Sequence, residues 1–347
     1  MSSAEAPILL ADVGGTNVRF ALADPTRAQP LLGDSIRRYR VADHASFTDA
    51  ALTYLGDSGA APRRGVFAFA GQIRGGEVQV TNHEWTVVRE RVRGELALES
   101  LHLINDFAAM SLCVPLLAAS DVHPIGATAL PSFDGLRPRT FAVVGPGTGL
   151  GVGALLLRDG RFTALETEGG HISFAPRTEL EVEILRRLQA RYGRVSNERL
   201  LCGSGLSNLH EALGEIHGTF IERLSPEEIT WRATAGADPA CENAIELFCE
   251  LLGAVAGDFV LAFGAWDGVY LAGGLPPLLR GWLDRGGFRR RFEDKGRFAE
   301  QLMRAPTLAI LHPDAGLLGA AVSATADTGR SLLACQAFVQ PPGEPVR

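Results

Sequence analysis

Three features of the 347-residue sequence combine side chains and spacings that could do chemistry. The first is Asn105-Asp106, which closes the apolar run Leu101 to Ile104 and opens a segment with helical spacing. Residues at the carboxyl end of a strand face the ligand side of an open α/β sheet, so a carboxylate there could accept a proton from a bound hydroxyl. Aspartate is also a favoured helix N-cap, and from the sequence alone capping competes with catalysis for Asp106. The second is Glu168-Gly169-Gly170-His171. E-x-x-H can serve a carboxylate metal site on a helix, but two internal glycines argue for a loop. A loop presenting a carboxylate and an imidazole suits the vicinal hydroxyls of a polyol, because both groups accept hydrogen bonds.

The third is a pair of glycine-rich turns, Gly14-Gly15-Thr16-Asn17 and Gly145-Pro146-Gly147-Thr148-Gly149-Leu150-Gly151. Bare backbone N–H groups in such turns can form a nest for phosphate oxygens, and two facing turns would clamp a nucleotide tail. Neither carries the lysine of G-x-x-x-x-G-K-[ST]. A relaxed dinucleotide pattern can be laid on Gly149, Gly151 and Ala154, but the residues that follow favour a strand where that site needs a helix. A tight hairpin without a ligand remains the alternative for each turn. Asp12 stands at the end of its strand beside the first turn, where a carboxylate can hold Mg²⁺ directly or through water. Thr16 and Thr148 add hydroxyls to the backbone donors.

These residues need elements to position them. Ile8 to Asp12 and Val18 to Ala23 read as strands joined by the first turn, with a third strand at Ile36 to Val41. A helix is predicted at Phe47 to Leu55, a short strand at Val66 to Ala70 and a helix at Val87 to Arg93. Strand Leu101 to Ile104 and a helix from Phe107 through Leu117 follow. The second half opens the same way: strand Phe141 to Val144, the second turn, and strands Val152 to Leu157 and Phe162 to Glu166. Helices Glu179 to Arg191 and Cys241 to Phe263, strand Val269 to Ala272, the turn Gly273-Gly274 and strand Thr307 to Leu311 complete it. A last helix from Pro313 to Ala321 could return to the first lobe. The repeated strand, glycine turn, strand device has the character of an internal duplication in an α/β protein.

A chain of this length exceeds what one core usually organises, so two lobes with a cleft between them are expected. The hydrophobic content of 46%, the charged content of 21% and the 40 glycines describe a globular protein rich in tight turns. A net charge of −7 gives no general attraction to nucleic acid or to an anionic membrane, and no apolar run reaches bilayer length. The expected location is therefore the cytoplasm. Five scattered cysteines without a C-x-x-C pair suggest buried reduced thiols rather than disulfides or structural zinc. The arginine run in Gly286 to Arg291 reads as a solvated charged face.

Taken in order, DVGGTN at Asp12 to Asn17, TNHEW at Thr81 to Trp85, INDF at Ile104 to Phe107 and GTGLG at Gly147 to Gly151 resemble the motifs of one family. EGGHISFAP at Glu168 to Pro176, SNERLLCGSGL at Ser196 to Leu206 and LAGG at Leu271 to Gly274 continue the series. The chain resembles bacterial glucokinases of the zinc-free type, within the superfamily of actin-like, sugar-kinase and chaperone ATPases, from about Ile8 to Ala321. The resemblance implies a two-lobed actin-like ATPase (ribonuclease H-like) α/β fold. Residues 1–115 with 314–332 would form the small lobe, 116–313 the large lobe and 333–347 a flexible tail.

The resemblance also implies phosphoryl transfer from MgATP to glucose. Asp106 would be the general base, and Asn82, Asn105, Glu168, His171 and Glu198 would bind the hexose. Asp12, Gly14, Gly15, Thr16, Asn17, Gly147, Thr148, Gly149, Gly273 and Gly274 would line the nucleotide site, with Asp12 toward Mg²⁺. It further implies a homodimer. ISFAP follows His171 with no cysteine nearby, which separates the chain from the zinc-binding branch of the repressor, open reading frame and kinase (ROK) family. Gln72 stands where proline is expected, and Ala265-Trp266-Asp267 replaces a usual Thr-x-Gly. Another hexose, another phosphoryl donor and a non-catalytic sugar sensor stay open at this level.

Overall fold

The computed structural model describes residues 6–326 apart from 82, 128, 132, 134–136, 220 and 221. Asn82, Cys335, residues 327–332 of the proposed small lobe and the tail 333–347 therefore lie outside the described residues. Two main sheets organise the chain. The first contains β1 (Ile8–Val13), β2 (Asn17–Ala23), β3 (Leu31–Arg40), β4 (Arg64–Phe69) and β7 (Ser100–Asn105), in the order β3-β2-β1-β4-β7. The second contains β8 (Val122–Pro124), β9 (Arg139–Pro146), β10 (Leu150–Arg158), β11 (Arg161–Thr167), β12 (Val269–Leu271) and β13 (Thr307–Ile310), in the order β11-β10-β9-β12-β13-β8. β5 (Glu77–Gln79) and β6 (Thr86–Val88) form a separate hairpin.

The duplication expected from the two glycine turns is visible in the pairing. In each main sheet a central strand pairs antiparallel with its hairpin partner on one side and parallel with a later strand on the other. Both glycine turns thus lie at the carboxyl ends of parallel strands, the edge where open sheets bind ligands.

The helices are α1 (Phe47–Ser58), α2 (Arg89–Glu95), α3 (Asp106–Leu112), α4 (Glu179–Tyr192), α5 (Gly203–Ile216) and α6 (Pro226–Thr234). They continue with α7 (Pro239–Phe263), α8 (Leu275–Leu278), α9 (Arg280–Leu283), α10 (Gly287–Glu293), α11 (Ala299–Arg304) and α12 (Ala315–Ala326). Ile8 to Ala11 of β1 and Val66 to Phe69 of β4 are continuous apolar runs because both faces are covered. Leu9, Ala11, Val13, Phe67 and Phe69 meet Phe47 and Tyr54 of α1, while Ile8, Leu10, Val66 and Ala68 meet Leu317, Ala320 and Ala321 of α12. Each fully buried side chain of this kind contributes roughly 1.5–3 kcal/mol. The last helix therefore returns to the first sheet and lies against α3, where Gly319 leaves no room for a Cβ above the Ala109 carbonyl.

Several local expectations are corrected. Val87 and Val88 belong to strand β6, and the helix starts only at Arg89. The helix after Asp106 stops at Leu112 and continues as a 3₁₀ turn, Val114–Leu116, where Pro115 has no N–H to extend it. Of the arginine run only Arg290 is a solvated charge, 66% exposed and paired with Glu250. Arg289 is buried and donates to the carbonyls of Leu302, Met303 and Ala305 and to Thr307 Oγ1. Arg291 is paired at 2.7 Å with Glu181, which is 2% exposed. The four described cysteines are buried and reduced.

Candidate functional site

β7 ends at Asn105, whose Oδ1 accepts the backbone N–H groups of Phe107 at 2.8 Å and Ala108 at 3.3 Å. Its Nδ2 donates to the Gly71 carbonyl at 3.3 Å, which leaves one amide hydrogen for a ligand. Asn105, not Asp106, is the N-cap of α3. Asp106 occupies the first helical position, where its Oδ1 also accepts the Phe107 N–H at 2.9 Å. Burial pushes the Asp106 carboxyl up to about 7, and the charges of Asp12 and Glu168 push in the same direction. A carboxyl held near neutrality is suited to moving a proton.

Phe107 fixes this helix to the second sheet. Gly145 and Gly151 face each other across β9 and β10. A Cβ at either would lie 2.3 or 1.9 Å from the Phe107 ring, so the two glycines form a slot for that ring. The two ends of the glycine-rich turn Gly145 to Gly151 therefore serve packing, and Gly147, Thr148 and Gly149 remain at the tip.

The tip reaches two neighbours. A Cβ at Gly147 would sit 4.0 Å from the Gly274 nitrogen, so this turn faces the Gly273-Gly274 turn after β12. Gly273 has φ +84° and approaches the Pro146 carbonyl so closely that a Cβ would stand 2.7 Å away. Only glycine meets both demands at low cost. On the other side, Glu198 Oε2 accepts the Leu150 N–H at 2.9 Å. Glu198 lies on a 3₁₀ turn, Asn197–Arg199, rather than on a surface helix.

Its other oxygen stands 4.0 Å from His171 Nδ1, and His171 Nε2 stands 3.9 Å from Glu168 Oε2. His171 ends a 3₁₀ turn, Gly169–His171, pressed against β10, where a Cβ on Gly170 would strike the Leu150 carbonyl. Glu168, His171 and Glu198 are thus brought together, with Glu168 69% exposed and open to a ligand.

The first turn lies over the other sheet. Gly14 N–H donates to the Asn17 carbonyl at 3.0 Å, and Thr16 and Asn17 are exposed. Asp12, Arg19 and Arg38 stand in one row across β1, β2 and β3. Arg19 donates to Asp12 Oδ2 at 3.2 Å, and Arg38 donates to Asp314 Oδ1 at 2.9 Å. Burial raises the Asp12 carboxyl, Arg19 opposes the shift and Asp314 adds to it. Sequence reasoning misses Asp314, Arg19 and Arg38. An aspartate just before an apolar helix and arginines at cross-strand positions are the signals that could have found them.

The carboxylate of Asp12 is a hard oxygen donor of the kind Mg²⁺ takes, and a divalent cation held there, directly or through water, would offset the charge it turns toward Asp106. The residue therefore fits that ion. The Ala265-Trp266-Asp267 departure lies at the amino end of β12, away from the glycine turns, where Asp267 accepts the Thr140 N–H at 2.8 Å.

The glucokinase family model matches residues 9–327. A glucokinase of Stenotrophomonas maltophilia (strain K279a) is 52% identical over 325 residues, covering 93% of this chain and 96% of the relative. The crystal structure of a glucokinase from an Antarctic psychrotroph superposes with a TM-score of 0.81 at 31% identity, covering 91% of this chain and 98% of that one. A ROK-family glucokinase from Streptomyces griseus in complex with glucose and AMPPNP shares the fold, with a TM-score of 0.58 at 17% identity over 91% of this chain and 98% of that one. The fold is the actin-like ATPase fold of sugar kinases, and the chain belongs to the glucokinase family.

Proposed function

We propose that this chain is an ATP-dependent glucokinase that transfers the γ-phosphoryl group of MgATP to O6 of glucose. The observation that carries the reading is Asp106: it is relieved of capping by Asn105, raised to about 7 by burial, and locked by Phe107 onto the strands that carry the second glycine turn. The trio Glu168, His171 and Glu198, together with the free amide hydrogen of Asn105, would hold the sugar hydroxyls. Asn82 is assigned to the same side on its motif alone. The backbones of Gly14 to Asn17, Gly147 to Gly149 and Gly273-Gly274 would receive the nucleotide, with Thr16 and Thr148 adding hydroxyls.

Asp12 would hold Mg²⁺, directly or through water, and the ion when bound would neutralise phosphate charge. Within the chain's own chemistry, Asp106 takes the proton as O6 attacks, and Glu198 ties the sugar side to the turn through Leu150. Residues 1–115 with 314–332 are assigned to the small lobe and 116–313 to the large lobe, an assignment that the packing of α12 on β1 and β4 supports. A panel of hexoses with MgATP, followed by ADP release and product identification, tests the reading. Glucose 6-phosphate should form with glucose as preferred substrate. Glucose binding without ADP release from any hexose would make the protein a sensor instead.

A further inference from the structure

The middle of α5 and the start of α7 bring together His210, Asp238 and Cys241. His210 and Cys241 are 2% and 0% exposed, and Asp238 is partly exposed. The carboxylate of Asp238 is divided between two tasks. Its Oδ1 caps α7 by accepting the Ala240 N–H at 2.9 Å, and its Oδ2 accepts the Cys241 thiol at 3.4 Å. His210 Nε2 stands 3.7 Å from the same sulfur, while its Nδ1 has no partner among the described residues. Among the described residues the buried imidazole is thereby left with a long contact to sulfur as its only hydrogen-bonding contact.

The separations have a simple geometric meaning. For a tetrahedral Zn²⁺ with ordinary bond lengths, sulfur and imidazole nitrogen lie about 3.6 Å apart, and sulfur and carboxylate oxygen about 3.5 Å apart. The observed 3.7 and 3.4 Å match both, with all three donor atoms within 4.8 Å of one another. We propose that His210 Nε2, Cys241 Sγ and Asp238 Oδ2 form a binding site for Zn²⁺, with water from the partly exposed Asp238 side as fourth ligand. On binding, the Cys241 thiol gives its proton to solvent, and the thiol–carboxylate hydrogen bond is replaced by two metal bonds. Thiolate and imidazole select a zinc-class ion over the Mg²⁺ of the phosphoryl-transfer site.

The ion would tie α5 to α7. α5 begins at Gly203, whose N–H donates to the Gly147 carbonyl at 2.8 Å, so the tether braces the helix that supports the second glycine turn.

Co²⁺ titration of the chelator-dialysed, fully reduced chain tests the proposal. One equivalent should give a thiolate-to-cobalt charge-transfer band and the intense visible bands of a tetrahedral site, and Zn²⁺ should displace it and raise Tm. Cys241→Ser should abolish the charge-transfer band and the Tm shift. Asp238→Asn, which keeps a capping oxygen, should weaken Zn²⁺ at least about tenfold in a protein that melts normally without metal. No charge-transfer band in the parent protein, a band that survives in Cys241→Ser, or unchanged affinity in Asp238→Asn would overturn it.

Discussion

Replacing Asp106 by asparagine should make the ligand-free protein more stable, and increasingly so as pH rises. The wild-type carboxyl is raised from 3.8 to about 7 in the folded state, chiefly by burial. Between those values the native state holds more protons than the unfolded one, so stability is lost as pH rises through the interval. The loss is about 2 kcal/mol at pH 5 and about 4 kcal/mol at pH 8.5, because each tenfold change in proton affinity between the two states is worth about 1.36 kcal/mol. Asparagine keeps the shape and the acceptor for the Phe107 N–H but does not titrate. With an unfolding entropy near about 2.1 cal/mol/K per residue, the Tm advantage of Asp106→Asn should widen by roughly 3 °C over this range. Thermal melts of both proteins from pH 5 to pH 8.5, without nucleotide or sugar, measure it. A Tm difference that stays constant with pH would mean that Asp106 is not a strained carboxylate, and the case for a poised base would lose its physical ground.

Other expectations follow from the same geometry. Gly151→Ala places a methyl where the Phe107 ring lies, so it should cost about 1–3 kcal/mol of stability and, by shifting α3, lower kcat between about ten- and a hundredfold at saturating substrates; unchanged kcat would detach the slot from catalysis. Glu168→Ala should raise the glucose Kd roughly 10- to 150-fold, the worth of a charge-assisted hydrogen bond, while leaving nucleotide affinity nearly unchanged; equal losses for both ligands would indicate a folding role. Gly149→Val should weaken glucose and ATP alike, because a Cβ there would stand 2.6 Å from Glu198 Oε2, whereas Gly147→Val should weaken ATP alone. Calorimetry with each ligand separates the two, and intact glucose binding in Gly149→Val would remove Glu198 from the sugar site.

The parts of this molecule that were legible in the sequence are those where local chemistry and long-range role coincide. Strand, glycine turn, strand is a local signal, and it located both turns and, through their repetition, the matching architecture of the two sheets. Asn105-Asp106 was legible as a pair, but which residue capped the helix depended on a backbone geometry that composition does not encode. Gly145 and Gly151 looked like the rest of their turn because the ring that needs them, Phe107, is far away in sequence. Glu198 was recognisable only by family resemblance, since its 3₁₀ turn carries no periodicity. Arg289 and Arg291 looked like surface charge because their partners, the carbonyls of Leu302 and Ala305 and the carboxylate of Glu181, come from elsewhere in the chain.

The most direct test of the catalytic account is turnover by Asp106→Asn, measured with its glucose Kd and its melting curve. Asn105 already caps α3, so the variant should fold and bind glucose within about threefold of wild type, while kcat falls by about 10²–10⁴, the usual worth of general acid–base catalysis. A folded variant that binds glucose and retains near-normal kcat would contradict the account.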